Sequence, residues 1–190
     1  MIVVTKQGLT LAEFLALPEE DETLEFVDGE VIEKVSPKTR HSILQREIIR
    51  QVMAAESTVG FEVLPEARFV FGSPTRAYVP DLSIVDVVRL PVDEQGRFAD
   101  DLELAPDIAI EILSPGQSAG HLLDKLAFYM ANAVGLGVVV DPERERVIAY
   151  RPGDEPRSLA SPENLAFGPA LPEFQLDLAR LFRALRPSRD

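Results

Sequence analysis

Over its 190 residues the chain sets 32 acidic against 19 basic side chains, a formal net charge of −13, and it has neither cysteine nor tryptophan. Such a length can bury roughly 70% of the unfolded surface without covalent staples, and the lack of thiols excludes disulfides and thiolate metal sites. No apolar run reaches the ~20 residues of a membrane span, and the N-terminus lacks the charged-then-apolar order of a signal peptide, so no membrane partner and a cytoplasmic location are expected.

Residues 9–17 predict a short helix, with Thr10 three residues before Glu13 at capping-box spacing, ended by Pro18 and the acidic run 19–22. Residues 23–35 read as a hairpin turning on Asp28-Gly29, so 1–35 form an N-terminal helix and hairpin. The period over 40–56 predicts a longer helix whose inward face is Leu44, Ile48, Val52 and Ala55, with Glu47 toward the edge. Strands follow over 59–64, 67–71 and 78–85, the last with Pro80 confined to a strand start or edge. An exposed loop is expected over 88–103 and a strand over 108–113. Residues 118–134 form a helix with an apolar stripe of Leu122, Leu123, Leu126, Tyr129, Met130, Ala133 and Val134. Strands over 136–140 and 147–150 pair across Pro142-Glu143-Arg144, a loop with at most a short strand spans 151–172, and a final helix covers 176–185. The fold class is α/β (α+β): one domain, 1–190, with a mixed central sheet flanked by helices.

Chemistry concentrates on three residues. Along 108–113 side chains alternate, so Glu111 shares a face with Ala109 and Leu113 and stands as a carboxylate on an apolar element. Such a group costs several kcal/mol unless it is paired or holds a cation. Asp81 lies near a strand end, and two carboxylates on neighbouring strands would repel unless a cation sat between them. A hard ion such as Mg²⁺ suits these oxygens and keeps waters, one of which can become a nucleophile. Lys125 falls on the edge of its helix stripe, beside Leu122 and Tyr129, with Asp124 on the wet face. It can present an ammonium to the strand ends, or it can snorkel as an ordinary surface lysine.

Six short motifs occur in order: Leu24-Glu25-Phe26-Val27-Asp28-Gly29-Glu30, Ser36-Pro37-Lys38-Thr39-Arg40-His41, Val79-Pro80-Asp81, Pro106-Asp107-Ile108-Ala109-Ile110-Glu111-Ile112-Leu113-Ser114-Pro115, Asp124-Lys125-Leu126-Ala127-Phe128-Tyr129 and Val140-Asp141-Pro142. The ordered set, over roughly residues 24–151, resembles the PD-(D/E)XK nuclease superfamily and, within it, the bacterial restriction-endonuclease-like Uma group. The resemblance implies a restriction-endonuclease-like core and an endonuclease that uses Mg²⁺ or Mn²⁺ to cut nucleic acid, DNA above all. Asp81 matches the first metal-binding aspartate and Glu111 the acid of the glutamate-x-lysine strand. Leu113 stands where the lysine of that strand is expected, and Lys125 matches the lysine that the Uma group carries on the following helix. The superfamily's acid on its first core helix points to Glu47, equally readable as an exposed flank residue. His41, inside a matched stretch, is a candidate for phosphate or metal-shell contact or for a structural hydrogen bond. Glu30 is a further candidate facing the cleft, and His121 reads as surface. A second departure, Leu136-Gly137-Val138, falls where the group often has an aromatic and reads as a packing difference with no bearing on chemistry.

The acidic balance repels a phosphate backbone on average, so nucleic-acid binding has to be local or metal-assisted. Lys34, Lys38, Arg40, Arg46 and Arg50 offer one basic patch. Arg180, Arg183, Arg186 and Arg189 offer a loose stripe that also suits the negative end of a helix dipole. Two alternatives stand beside the nuclease: a binding or assembly protein on a nuclease fold, which the acidic surface favours, and a metal-dependent hydrolase of a small phosphate ester, which a closed small pocket would favour. The sequence leaves oligomeric state open, with a homodimer the common arrangement among nucleases that cut both strands.

Overall fold

The computed structural model describes residues 3–18, 23–55, 60–72, 75–100, 102–115, 117 and 119–187. Two sheets share its strands. In the first, Asp28 (φ 52°) and Gly29 (φ 91°) both take the left-handed backbone that a two-residue hairpin turn requires, closing β2 (Leu24–Val27) on β3 (Glu30–Glu33). β1 (Val3–Gln7) lies outside β3, while β6 (Thr75–Tyr78) and β5 (Phe69–Gly72) extend the other edge, all antiparallel, in the order β1-β3-β2-β6-β5. α1 (Leu11–Leu15), begun by the Thr10–Glu13 capping box, stacks Phe14 on Phe26 with ring centroids 5.4 Å apart.

The second sheet has the order β11-β10-β9-β8-β7-β4, built from β4 (Phe61–Pro65), β7 (Leu82–Asp86), β8 (Ile108–Ile112), β9 (Leu136–Asp141), β10 (Arg146–Tyr150) and β11 (Arg157–Ala160). β8 and β9 run parallel, joined by the crossover helix α3 (Ala119–Ala131) that a parallel pair needs. Both strands are buried along their whole length, the mark of a sheet covered on two faces. α2 (Thr39–Met53) covers one face with Leu44, Ile48 and Val52, helped by α4 (Leu178–Arg183) and the small hairpin of β12 (Asn164–Ala166) and β13 (Gln175–Asp177). α3 covers the other with Leu122, Leu126 and Tyr129, against Ala109 and Val139.

Several expected boundaries move. The mixed sheet is present, but the expected strand 78–85 divides between two sheets, because Pro80 has no N–H to give a ladder and the chain leaves β6 to enter β7. The segment 151–172 supplies β11 and β12, and the last helix starts only at Leu178, where Asp177 caps it by accepting from the Arg180 N–H at 2.8 Å. β1 has no counterpart among the expected strands. On α3, Leu123 is exposed beside Asp124 and Phe128 is buried in its place. The loop over 88–103 exposes Val88, Val92 and Phe98 yet anchors Leu90 and Leu102 in the core. Expectations for 19–22, Glu56, Val59, Ser118 and Arg189 lie outside the described residues. Among the described residues, no helix is long and apolar enough to cross a membrane.

Candidate active site

The division of the chain at Pro80 places Asp81 at the mouth of β7. Its backbone oxygen accepts from the Gln45 amide of α2 at 2.8 Å, which fixes the turn. Leu82 pairs with Ile110 across the antiparallel β7–β8 ladder, so one residue further out Asp81 stands level with Glu111. Both carboxylates line one cavity of about 50 Å³, together with His41, His121, Lys34, Lys125 and Glu25.

Asp81 is fully engaged. Lys34 Nζ lies 2.8 Å from Oδ1, while Oδ2 accepts from the Ile112 N–H at 2.6 Å and from His41 Nε2 at 3.0 Å. Burial alone would raise its pKa, but the His41 hydrogen bond and the Lys34 charge outweigh that and hold the carboxyl well below its usual range. Glu111 shows the opposite balance. Its Oε1 accepts from Lys125 Nζ at 2.7 Å and from the Tyr129 hydroxyl at 3.0 Å. Burial nevertheless pushes its pKa up against the Lys125 charge, and the Asp81 and Glu25 charges add to the push.

Lys125 is not a snorkelling residue: only 4% of it is exposed. Its ammonium bridges Glu111 on the second sheet and Glu25 Oε1, at 2.6 Å, on the first, and lies 5.2 Å from the Tyr78 ring centroid. Glu25 is fixed in turn by accepting from the Val79 N–H at 2.9 Å. Burial favours the neutral amine, yet the Glu111 and Glu25 charges override it and keep Lys125 protonated beyond the ordinary lysine range.

The structure thus brings Asp81, Glu111, Lys125 and His41 together, and leaves Glu47 and Glu30 elsewhere. Glu47 is buried on α2, where it accepts from Arg180 at 2.6 Å and Arg50 at 3.2 Å and so ties α2 to α4. Glu30 accepts from Gln7 on β1 at 3.1 Å. His121, read as surface from the sequence, is half-buried and lines the cavity, and burial lowers its pKa. Sequence reasoning missed Glu25 as a site residue and placed Lys34 on a basic surface. Both are acids or bases beside apolar residues of a short hairpin, the same signal that singled out Glu111.

No trio of His, Asp or Glu side chains gathers around one point among the described residues. The donor chemistry still fits a hard cation: the hydrogen bonds described at Glu111 engage Oε1 alone, and three buried carboxylates, Glu25, Asp81 and Glu111, face two ammonium groups. Mg²⁺ asks for only one or two protein carboxylates and keeps waters in its other positions.

A buried carboxylate pair at the mouth of neighbouring strands, with a protonated lysine of the crossover helix beside Glu111, thus stands on the mixed sheet. The Uma2 family, described as "Putative restriction endonuclease", matches residues 11–179, and the chain belongs to that family. A solved structure from Anabaena variabilis, described as "a putative nuclease belonging to DUF820" at 1.96 Å resolution, has a TM-score of 0.85 and 32% identity, over 94% of this chain and 99% of that one. No curated protein matches the chain.

Proposed function

We propose that the protein is a divalent-metal-dependent endonuclease acting on DNA, paired as a homodimer when both strands are cut. The observation that carries this reading is the β7–β8 register, which sets Asp81 and Glu111 level on one cavity with the Lys125 ammonium 2.7 Å from Glu111. Asp81 and Glu111 would hold Mg²⁺ or Mn²⁺. When bound, such an ion supplies Lewis acidity and an activated water. Lys34 Nζ lies 2.8 Å from Asp81 and balances part of the local negative charge. Lys125 stays protonated, so its role is to offset charge developing on the phosphate and not to remove a proton. Glu25 positions that ammonium from the other sheet. The small-ester alternative draws on the 50 Å³ cavity, but a larger cavity adjoins it through shared walls.

Cleavage of plasmid, single-stranded DNA and RNA with Mg²⁺ or Mn²⁺ at low salt tests the reading. Wild-type cutting that Asp81→Ala, Glu111→Ala and Lys125→Ala each abolish is the expected result. Activity that survives in all three variants comes from elsewhere, and a folded, metal-loaded wild type that cuts nothing overturns the proposal.

A further inference from the structure

The cavity at Asp81 and Glu111 has a volume of about 50 Å³, enough for a few waters but not for a nucleotide. A neighbouring cavity of about 630 Å³ lies within the range of small-molecule sites. The two share His41, Ser114 and Gln117 as a common wall.

Besides the carboxylates Asp141 and Glu143, the larger cavity is lined by an apolar part and a cationic part. Leu113, Pro115 and Pro142 give it apolar lining. Leu113 is the residue that replaces the expected strand lysine, so the departure from the superfamily pattern leaves this lining uncharged. Lys38 and Arg40, at the start of the 15-residue helix α2, supply cations. Lys38 is the N-cap and provides no side-chain cap, which leaves the first-turn amides without a side-chain acceptor. It is exposed and makes no ion pair among the described residues. Arg40 and Arg144 pair with Glu143 and Asp141, but their side chains are 61% and 69% exposed, where such pairs hold weakly. In the shared wall His41 is 4% exposed, with Nε2 on Asp81 and Nδ1 buried without a partner.

From these features we infer that this cavity is the subsite for the nucleotide adjoining the scissile phosphate of a DNA strand. The phosphate of that nucleotide sits at Lys38 and the start of α2, and its sugar and base lie over Leu113, Pro115 and Pro142. The inference rests on the nuclease reading of the neighbouring carboxylates. On a chain of net charge −13, phosphate affinity has to be local, and this is a place where cations, open amides and an apolar floor adjoin the carboxylates.

The test is the binding of a short thymidine oligonucleotide to the metal-free protein, read by fluorescence anisotropy over a salt series. Lys38→Glu is compared with Lys6→Glu, an equal charge change on the exposed outer strand. Lys38→Glu is expected to weaken binding and reduce the slope of log affinity against log salt by about 0.7, the value for one lost single-strand phosphate contact, while Lys6→Glu leaves the slope unchanged. Backbone NMR shifts on adding the oligonucleotide fall on Leu113 and Ser114. Absent binding, equal effects of the two substitutions, or shifts elsewhere overturn the subsite even if plasmid is still cut. Binding that depends on Lys38 without cleavage of any nucleic acid keeps the subsite and overturns the nuclease reading.

Discussion

Lys125 carries one positive charge between two carboxylates, 2.6 Å from Glu25 and 2.7 Å from Glu111, and Lys34 carries another against Asp81. Burial raises the pKa of Glu111 against the Lys125 charge, and the Asp81 and Glu25 charges add to the rise. A carboxyl whose folded pKa lies above its unfolded value contributes its stability at low pH and loses it as pH rises through the folded value. Ionised Glu111 is thus a cost at neutral pH. Glu111→Gln keeps an oxygen for Lys125 and Tyr129 and is expected to raise Tm at pH 7, by about 2–4 °C for each kcal/mol recovered, while abolishing cleavage. The gain should shrink toward zero below about pH 4, where the carboxyl is protonated in both states. A pH series of thermal melts checks this, and a lower Tm than wild type at pH 7 would show that the Lys125 pairing outweighs the cost of burying the charge.

α3 sets the position of Lys125, and its Leu126 and Met130 pack over Gly137. A Cβ built on that residue of β9 would stand 2.6 Å from Leu126 Cδ1 and 3.1 Å from Met130 Cε, both on α3. Both atoms are the ends of flexible side chains, so glycine here leaves them room, and Leu136-Gly137-Val138 is a packing feature. Gly137→Ala is expected to cost about 1 kcal/mol, the low end of overpacking, because the ends of Leu126 and Met130 can turn aside. Urea unfolding checks it: an unchanged unfolding midpoint would mean that Leu126 and Met130 yield freely. Glu47 has its effect at the same scale, holding α2 to α4 through Arg180.

Across the whole molecule, the charge of −13 makes any divalent ion attractive, so binding has to be separated from site binding. A ligand that binds only the folded state at a hundredfold excess over its Kd stabilises by about 2.7 kcal/mol. Mg²⁺ or Mn²⁺ is expected to raise the wild-type Tm, and Asp81→Ala and Glu111→Ala are expected to lose that rise. Equal rises in all three proteins would assign the ion to the acidic surface. The five-stranded sheet belongs to the site as well, since β2 brings Glu25 and the residue after β3 brings Lys34 to the carboxylates of the other sheet.

Patterns of short range were legible in the chain. The Asp28-Gly29 hairpin, the Thr10 capping box, the apolar strand with its single Glu111 and the helical stripe beside Lys125 follow from local sterics and period, and the ordered motifs carried the family. Tertiary structure alone decided the break at Pro80, the burial of Lys125, the removal of Glu47 to a helix clamp, and the recruitment of Glu25, Lys34 and His121 to the cavity. The reason is physical: a local pattern fixes which face a side chain takes, but the partner of a buried charge is chosen by packing between elements as far apart as residues 25 and 125.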